Sequence, residues 1–164
     1  MEHIEQDNIY ICTISTKYFD DFPEVRAEAL DKDKRYYLAI NVKINDLNFV
    51  IPFRSNLNKH RKLKKANYPL PTDKRPNRGL DFAKCLLITD PKYINKICRV
   101  KSSPLSSSEQ NRLINKGNDI INRFRIYFNS YLTSCAKGRE NREPEFKFST
   151  LHFYKDILKS KGLF

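Results

Sequence analysis

Several features that mark common classes of protein are scarce or missing in this chain of 164 residues. It has only four glycines, and it contains neither a phosphate-binding loop nor the glycine pattern of dinucleotide-binding folds. No apolar run is long enough to span a membrane, and the acidic start Met1-Glu2-His3-Ile4-Glu5 does not resemble a secretory signal. We therefore expect no membrane association and a cytoplasmic location.

The cysteines are few and scattered along the chain. None belongs to a CxxC pair or to a Cys/His cluster with zinc spacing, and Cys12 and Cys85 lie in apolar runs, where reduced and buried thiols are common. The sequence predicts a reducing compartment, no metal and no cofactor.

Positive charge is the main feature that is present. The chain has 31 Lys and Arg against 19 Asp and Glu, with an isoelectric point near 9.6. Between Arg54 and Arg78 the only acid is Asp73, and a run of one sign attracts polyanions. Nucleic acid is the expected partner, and the candidate RNA-binding residues are Tyr37, Arg61, Lys62, Lys64, Lys65, Lys74, Arg75 and Arg78.

A β-hairpin is the clearest element of secondary structure. A two-residue turn at Asn45-Asp46 pairs Ile44 with Leu47 and places the apolar residues of both strands on one face. Pro52 cannot donate to a ladder, so pairing is expected to stop there or the strand to be an edge. The register places Arg54 across from Tyr37, on the face opposite the core.

Other elements are predicted around this hairpin. Residues 9–14 and 82–89 have the composition of strands, and Ser15 or Thr16 caps a short helix that ends before Pro23. Residues 24–34 are predicted to be a loop, and residues 91–97 a helical turn. The segment 55–79 is long for a structureless loop, which favours a functional role.

Two helices are predicted near the C-terminus. The Ser106…Glu109 spacing is a capping box for a long helix that stops near Gly138, and Ser149 caps a closing helix. Strands followed by helices predict an α+β protein, with residues 1–164 as a single domain.

The residues after the hairpin suggest chemistry as well as binding. RNA is cleaved without metal when its 2′-OH attacks the adjacent phosphorus, a reaction that needs a base, an acid and a cation for the phosphorane. Arg54 suits the phosphorane, His60 suits proton transfer, and Ser55 and Lys59 would orient and neutralise the phosphate. A histidine in a basic run is more often an ordinary surface group, so a non-catalytic RNA-binding protein is the alternative.

Four short segments in the same order resemble a known family of toxins. They are Thr13-Ile14-Ser15-Thr16-Lys17-Tyr18, the hairpin ending in Ile51-Pro52-Phe53-Arg54-Ser55, Gly79-Leu80-Asp81-Phe82-Ala83-Lys84, and Phe148-Ser149-x-Leu151…Tyr154. This pattern resembles the endoribonuclease toxins of type III toxin–antitoxin systems, the ToxN/AbiQ superfamily, and within it the TenpN- and CptN-like branches.

The resemblance implies a twisted antiparallel sheet surrounded by helices and metal-independent RNA cleavage that leaves a 2′,3′-cyclic phosphate. It implies inhibition by a small structured RNA antitoxin with a pseudoknot fold, made as repeats that the toxin processes and keeps bound in a protein–RNA hetero-oligomer. Cellular and phage RNAs would be the substrates.

The resemblance also assigns site residues. The family tyrosine corresponds to Tyr18, and its Thr-Ser pair to Arg54 and Ser55, whereas its lysine falls on Leu57, so that Lys59 or His60 must take that role. A second family tyrosine falls near Asp31, with Tyr36 or Tyr37 as the substitute. We expect Tyr18, Arg54, Ser55 and one of Lys59 and His60 to line one groove.

Overall fold

The computed structural model describes residues 9–26, 38–57 and 64–164. Within these ranges the chain has seven strands and four α-helices in a single α+β unit, which confirms the predicted fold class. The strands are β1 Tyr10–Ile14, β2 Leu38–Ile44, β3 Leu47–Arg54, β4 Asn67–Pro69, β5 Gly79–Asp81, β6 Leu86–Ile88 and β7 Ile94–Arg99. The α-helices are α1 Thr16–Asp21, α2 Pro23–Arg26, α3 Ser107–Ala136 and α4 Lys155–Ser160.

The strands form one antiparallel sheet in the order β4-β5-β3-β2-β1-β7, and β6 pairs with β3 beside β5. The predicted hairpin is confirmed in its register, since Ile44 lies opposite Leu47 and Ile40 opposite Ile51. Asn45 and Asp46 have φ angles of 49° and 65°, the left-handed conformation that a tight hairpin turn requires at both positions. The turn and the alternation of side chains therefore specify the same pairing.

Pro52 lies where the pairing of β3 changes partner. In a two-residue hairpin the hydrogen-bonded pairs alternate from the turn, so the Ala39–Pro52 pair is a non-bonded one and the proline nitrogen faces away from β2. On that side, β6 pairs with β3 as far as Val50 and β5 begins at Phe53. The predicted interruption of the ladder at Pro52 is confirmed on this side.

Helix α3 packs its apolar stripe on one face of the sheet. Ser106 caps it as predicted, because the serine oxygen accepts from the Glu109 amide at 3.2 Å. The ring of Phe49 lies 5.1 Å from that of Phe124 and 5.0 Å from that of Phe128, in edge-to-face contacts that anchor the helix to β3. The second strand of the hairpin and the middle of α3 thus share one core.

Some predicted boundaries are wrong. Residues 24–26 lie in α2 rather than in a loop, and β7 begins at Ile94 after a single 3₁₀ turn, Pro91–Tyr93. The predicted strand over residues 82–89 is divided, because Asp81 caps a 3₁₀ turn over Phe82–Lys84 before β6 begins. Local capping by a carboxylate overrides the apolar composition here.

The C-terminal segment closes the fold. Ser149 caps a 3₁₀ helix, Thr150–Tyr154, which continues into α4, so the predicted helical end is confirmed with a tighter first turn. The hydroxyl of Thr150 donates to the carbonyls of Ala83 and Cys85 and so fixes this segment to the turn before β6. In the described part of the chain, no helix is long and apolar enough to cross a membrane.

Candidate nucleic-acid interface

The candidate site lies at the end of the sheet where β3 ends. Thr13 of β1 pairs with Leu38 at the start of β2, and Ala39 pairs with Pro52 near the end of β3. Helix α1 follows β1 and residue Ser55 follows β3, so both segments leave the sheet at the same end.

The side chain of Tyr18 does not lie in an accessible groove. It is 0% exposed, and its hydroxyl donates to the carbonyl of Leu87 at 3.1 Å and bonds to the hydroxyl of Tyr154. Burial raises the pKa of Tyr18 well above its ordinary value. This corrects the location predicted by resemblance: the helix is in place, but its tyrosine points into the core.

Arg54 is held by a buried carboxylate. Its Nε lies 2.8 Å from Oδ2 of Asp81, and the two side chains are 21% and 6% exposed. The other oxygen of Asp81 accepts from the amide of Ala83 at 3.1 Å, which fixes the carboxylate at both ends. Because Arg54 alternates with Phe53 along β3, it leaves the sheet on the face opposite α3.

Ser55 is exposed, and the chain beyond it follows β5. The amide of Leu57 donates to the carbonyl of Asn77 at 2.8 Å, so the segment from Ser55 to Leu57 continues the pairing of Arg54 with Gly79. A side chain added at Gly79 would overlap Leu57 and the carbonyl of Tyr68, so glycine is required for this close approach. Ser55 therefore lies beside the base of the β4–β5 hairpin.

That hairpin carries much of the described basic segment. β4 and β5 are joined by residues 70–78, which extend the pairing: the amide of Leu70 donates to the carbonyl of Arg78, and Thr72 and Arg75 exchange backbone hydrogen bonds around a tight turn. We call residues 64–81 the basic arm. Its exposed cations, which form no ion pair with any described residue, are Lys64, Lys65, Lys74 and Arg75. These cations outnumber the exposed Asp73 of the arm, and the arm pairs with the chain on both sides of Ser55, at Arg54 and Leu57.

Arg78 does not belong to that surface. Its guanidinium lies 4.8 Å from the ring centre of Phe53, and its Nε lies 2.9 Å from Oε2 of Glu109, with side-chain exposures of 8% and 10%. The prediction that Arg78 binds RNA at the surface is wrong in this structure, because its side chain is buried and the carboxylate of Glu109 on α3 neutralises its charge.

Five of the predicted site residues lie outside the described residues. These are Tyr37, Lys59, His60, Arg61 and Lys62. Their assignments, including the choice between Lys59 and His60 for proton transfer, remain predictions.

The sequence reasoning missed the two acids that neutralise arginines in the basic segment. Asp81 lies inside one of the segments that resemble the toxin family, and Glu109 is half of the capping box. Both acids were visible as motif residues, but their arginine partners are distant in sequence.

Among the described residues, the candidate site contains cations and a serine hydroxyl but no metal-binding cluster. No group of three or more His, Cys, Asp or Glu among residues 9–26, 38–57 and 64–164 could hold a metal ion. Burial raises the pKa of Cys12 to about 12, and it raises that of Cys85 further, so these thiols stay protonated. The chemistry that this site supports is binding of an anionic backbone by cations and a serine hydroxyl.

Proteins of known structure share this fold. One comes from work on selective toxin inhibition by a non-coding RNA pseudoknot in bacterial type III toxin–antitoxin systems; it is 18% identical with a TM-score of 0.54, over 72% of this chain and 76% of that chain. Another comes from work on a processed non-coding RNA that regulates a bacterial antiviral system; it is 13% identical with a TM-score of 0.55, over 91% of this chain and 98% of that chain. No family model and no curated protein matches the sequence. At identities this low, the structural similarity shows a shared fold and nothing more.

Proposed function

We propose that this chain is the endoribonuclease toxin of a type III toxin–antitoxin system, of the TenpN- or CptN-like kind, and that a small structured RNA made as repeats inhibits it. The observation that carries the proposal is the juxtaposition of exposed Ser55 with the exposed cations of the basic arm. The shared fold supports it, because one of the similar proteins was studied as a toxin inhibited by an RNA pseudoknot. The toxin would act in the cytoplasm, process its own antitoxin RNA and remain bound to it.

The proposed reaction needs no water and no metal. The 2′-hydroxyl oxygen attacks the adjacent phosphorus, a base removes its proton, and the 5′-oxygen leaves with a proton from an acid, giving a 2′,3′-cyclic phosphate and a 5′-hydroxyl. Ser55 would donate its hydroxyl proton to a non-bridging oxygen, and Arg54, oriented by Asp81, would bring its positive charge to the phosphorane. Lys59 or His60 would transfer the protons.

A non-catalytic RNA-binding protein is the second candidate. Two observations favour it: Tyr18 is buried and so offers no accessible hydroxyl, and Asp81 compensates the charge of Arg54. The basic arm would bind RNA equally well without cleavage.

Expression of the chain and of Ser55→Ala in bacteria separates the two candidates. The enzyme predicts growth arrest and RNA fragments that polynucleotide kinase labels without prior dephosphorylation, because the 5′ ends are hydroxyls. Both effects should disappear in Ser55→Ala and persist in Ser130→Ala, an exposed serine on α3. Cleavage should persist in EDTA. A folded protein that binds RNA but arrests no growth and cleaves no RNA would establish the binding protein instead.

A further inference from the structure

Phe148 is an aromatic side chain on the surface, close in the chain to two buried residues. It is 64% exposed, whereas Phe146, two residues before it, and Ser149, directly after it, are buried. The ammonium of Lys147 lies 5.5 Å from the centre of its ring, and the ammonium of Lys84 donates to its backbone carbonyl at 2.9 Å. An exposed aromatic ring with one cation over it and a second cation at its backbone has the composition of a site for unpaired nucleotides.

This ring is connected to the candidate site by consecutive contacts. Arg54 contacts Asp81, Asp81 accepts from the amide of Ala83, and the carbonyl of Ala83 accepts from the hydroxyl of Thr150. Lys84 extends from the same turn to Phe148. The turn capped by Asp81 therefore joins the end of β3 on one side to the Phe148 segment on the other.

We propose that Phe148, Lys84 and Lys147 form a subsite for one unpaired base of single-stranded RNA and its adjoining phosphate, next to the phosphate held at Ser55. The subsite rests on the proposed function in so far as the chain acts on RNA. Stacking on an aromatic ring is tolerant of sequence because every base has a π face, whereas the lysines attract the backbone. The subsite would anchor the strand on one side of the cleaved bond, with the basic arm on the other.

The cation above Phe148 is compatible with a stacked base. The side chain of Lys147 is exposed, so a base can take the other face of the ring or displace the ammonium toward a phosphate. A second copy of the chain is the rival occupant. It fits less well, because an apolar contact excludes water and would bring the lysine charges of both copies close together.

The test uses RNA binding in the Ser55→Ala background, so that cleavage does not interfere. The probes are a short fluorescent oligoadenylate and long-chain inorganic polyphosphate, an anion without bases. Phe148→Ala should weaken oligoadenylate binding about five- to 150-fold, the alanine effect for one stacked base, and leave polyphosphate binding unchanged. Lys84→Ala and Lys147→Ala should weaken both. Phe153→Ala is the matched control, since Phe153 is also exposed on the C-terminal segment.

Tryptophan fluorescence gives a second readout. The chain contains no tryptophan, so Phe148→Trp introduces a single one, whose emission a stacked adenine should quench and polyphosphate should not. Phe153→Trp should show little quenching. Equal RNA affinity for Phe148→Ala and Phe153→Ala, or equal responses of both tryptophans, would overturn the subsite. So would loss of a dimer in Phe148→Ala with RNA affinity unchanged.

These outcomes separate the subsite from the proposed enzyme. Quenching of Phe148→Trp by oligoadenylate, together with no RNA cleavage by the chain that retains Ser55, would support the subsite and refute the nuclease. Cleavage at the normal rate and affinity by Phe148→Ala would refute the subsite alone. A folded chain that binds no RNA would refute both.

Discussion

Two arginine–carboxylate pairs near the end of β3 use the same groups in different surroundings. The Nε of Arg78 lies 2.9 Å from Glu109 with both side chains at most 10% exposed, and the Nε of Arg54 lies 2.8 Å from Asp81 with the arginine 21% exposed. Arg78 is covered by the ring of Phe53, whereas part of the Arg54 side chain stays in contact with solvent. The Arg78–Glu109 pair stabilises the fold, and the Arg54–Asp81 pair holds a cation where the end of β3 meets solvent.

The difference decides how each pair should respond to mutation. A buried charge that loses its partner is left in a medium of low dielectric, so the penalty falls on folding. A partly exposed arginine that loses its partner is still solvated, so the penalty falls on its orientation. The predictions below test this contrast in order of expected size.

The largest effect is expected at Glu109. Glu109→Gln keeps the capping geometry but leaves Arg78 uncompensated, and it should lower the free energy of unfolding by about 3–5 kcal/mol, measured by urea denaturation. Asp156→Asn, at an exposed acid of α4, should change it by about 0.5 kcal/mol or less. The double variant Arg78→Met/Glu109→Leu should recover most of the loss, because apolar side chains need no counter-charge. A double variant as unstable as Glu109→Gln would show that the pair is not what stabilises this region.

The second effect is expected at Asp81 and falls on activity. Asp81→Asn should lower the rate of RNA cleavage about 10- to 100-fold, because Arg54 loses the partner that fixes its guanidinium. Its loss of stability should be smaller than that of Glu109→Gln. The measurement is the single-turnover rate on an oligoribonucleotide that contains a mapped cleavage site. Arg54→Lys should show a similar loss while keeping the charge, because an ammonium has no second edge to present. Full activity in both variants would show that Arg54 takes no part in cleavage.

The hairpin and α3 could be predicted from the sequence because their signals are local. Asn45-Asp46 specifies its turn, and the spacing of Ser106 and Glu109 specifies the start of a helix, whatever the rest of the chain does. The partners of Arg54 and Arg78 could not be predicted in this way. Asp81 and Glu109 meet these arginines only after the strands have paired and α3 has packed, so a segment that carries almost one sign in sequence becomes partly neutral in the fold.

The position of Tyr18 illustrates the same limit. The short helix and its Ser15 cap follow from local sequence, and both are confirmed. Which face of that helix turns inward depends on Tyr154 and Leu87, residues far along the chain. The resemblance predicted Tyr18 in a groove with Ser55, whereas the contacts with these distant residues turn its side chain into the core.

The third prediction concerns the cations that no acid neutralises. RNA binding should weaken with salt, with a log–log slope of about −0.7 for each phosphate contact to a single strand. Lys74→Ala/Arg75→Ala at the tip of the basic arm should flatten that slope by about 1.4, and Lys64→Ala/Lys65→Ala at its base should do the same. Lys159→Ala/Lys161→Ala, at exposed lysines near the C-terminus, is the control of equal charge. If all three double variants flatten the slope equally, net charge rather than the arm governs binding.

The smallest effect is expected at His152, which lies near a third ion pair, Lys155–Glu140, and is neutral at pH 7. The Nζ of Lys155 lies 2.8 Å from Oε1 of Glu140, and His152 lies in the same region. The Nε2 of His152 donates to the carbonyl of Phe146 at 2.6 Å, so its Nδ1 accepts from the hydroxyl of Tyr131 at 3.0 Å when the ring is neutral. Burial, more than the charge of Lys155, lowers the pKa of His152 below its ordinary value.

A lowered histidine pKa means that the unfolded chain binds a proton more readily than the folded chain below about pH 6.5, the ordinary value. The contribution of neutral His152 to the free energy of unfolding is therefore fully present above that pH. It falls as the pH drops toward the folded pKa, with a slope of at most about 1.4 kcal/mol per pH unit for one proton. His152→Gln should reduce the decline in unfolding free energy between pH 7.5 and 5. The Lys155 contact lowers the pKa of Glu140, so that acid loses its contribution only at more acidic pH and does not interfere. Identical pH profiles for the unchanged chain and for His152→Gln would show that His152 is protonated as easily in the folded chain as in the unfolded chain.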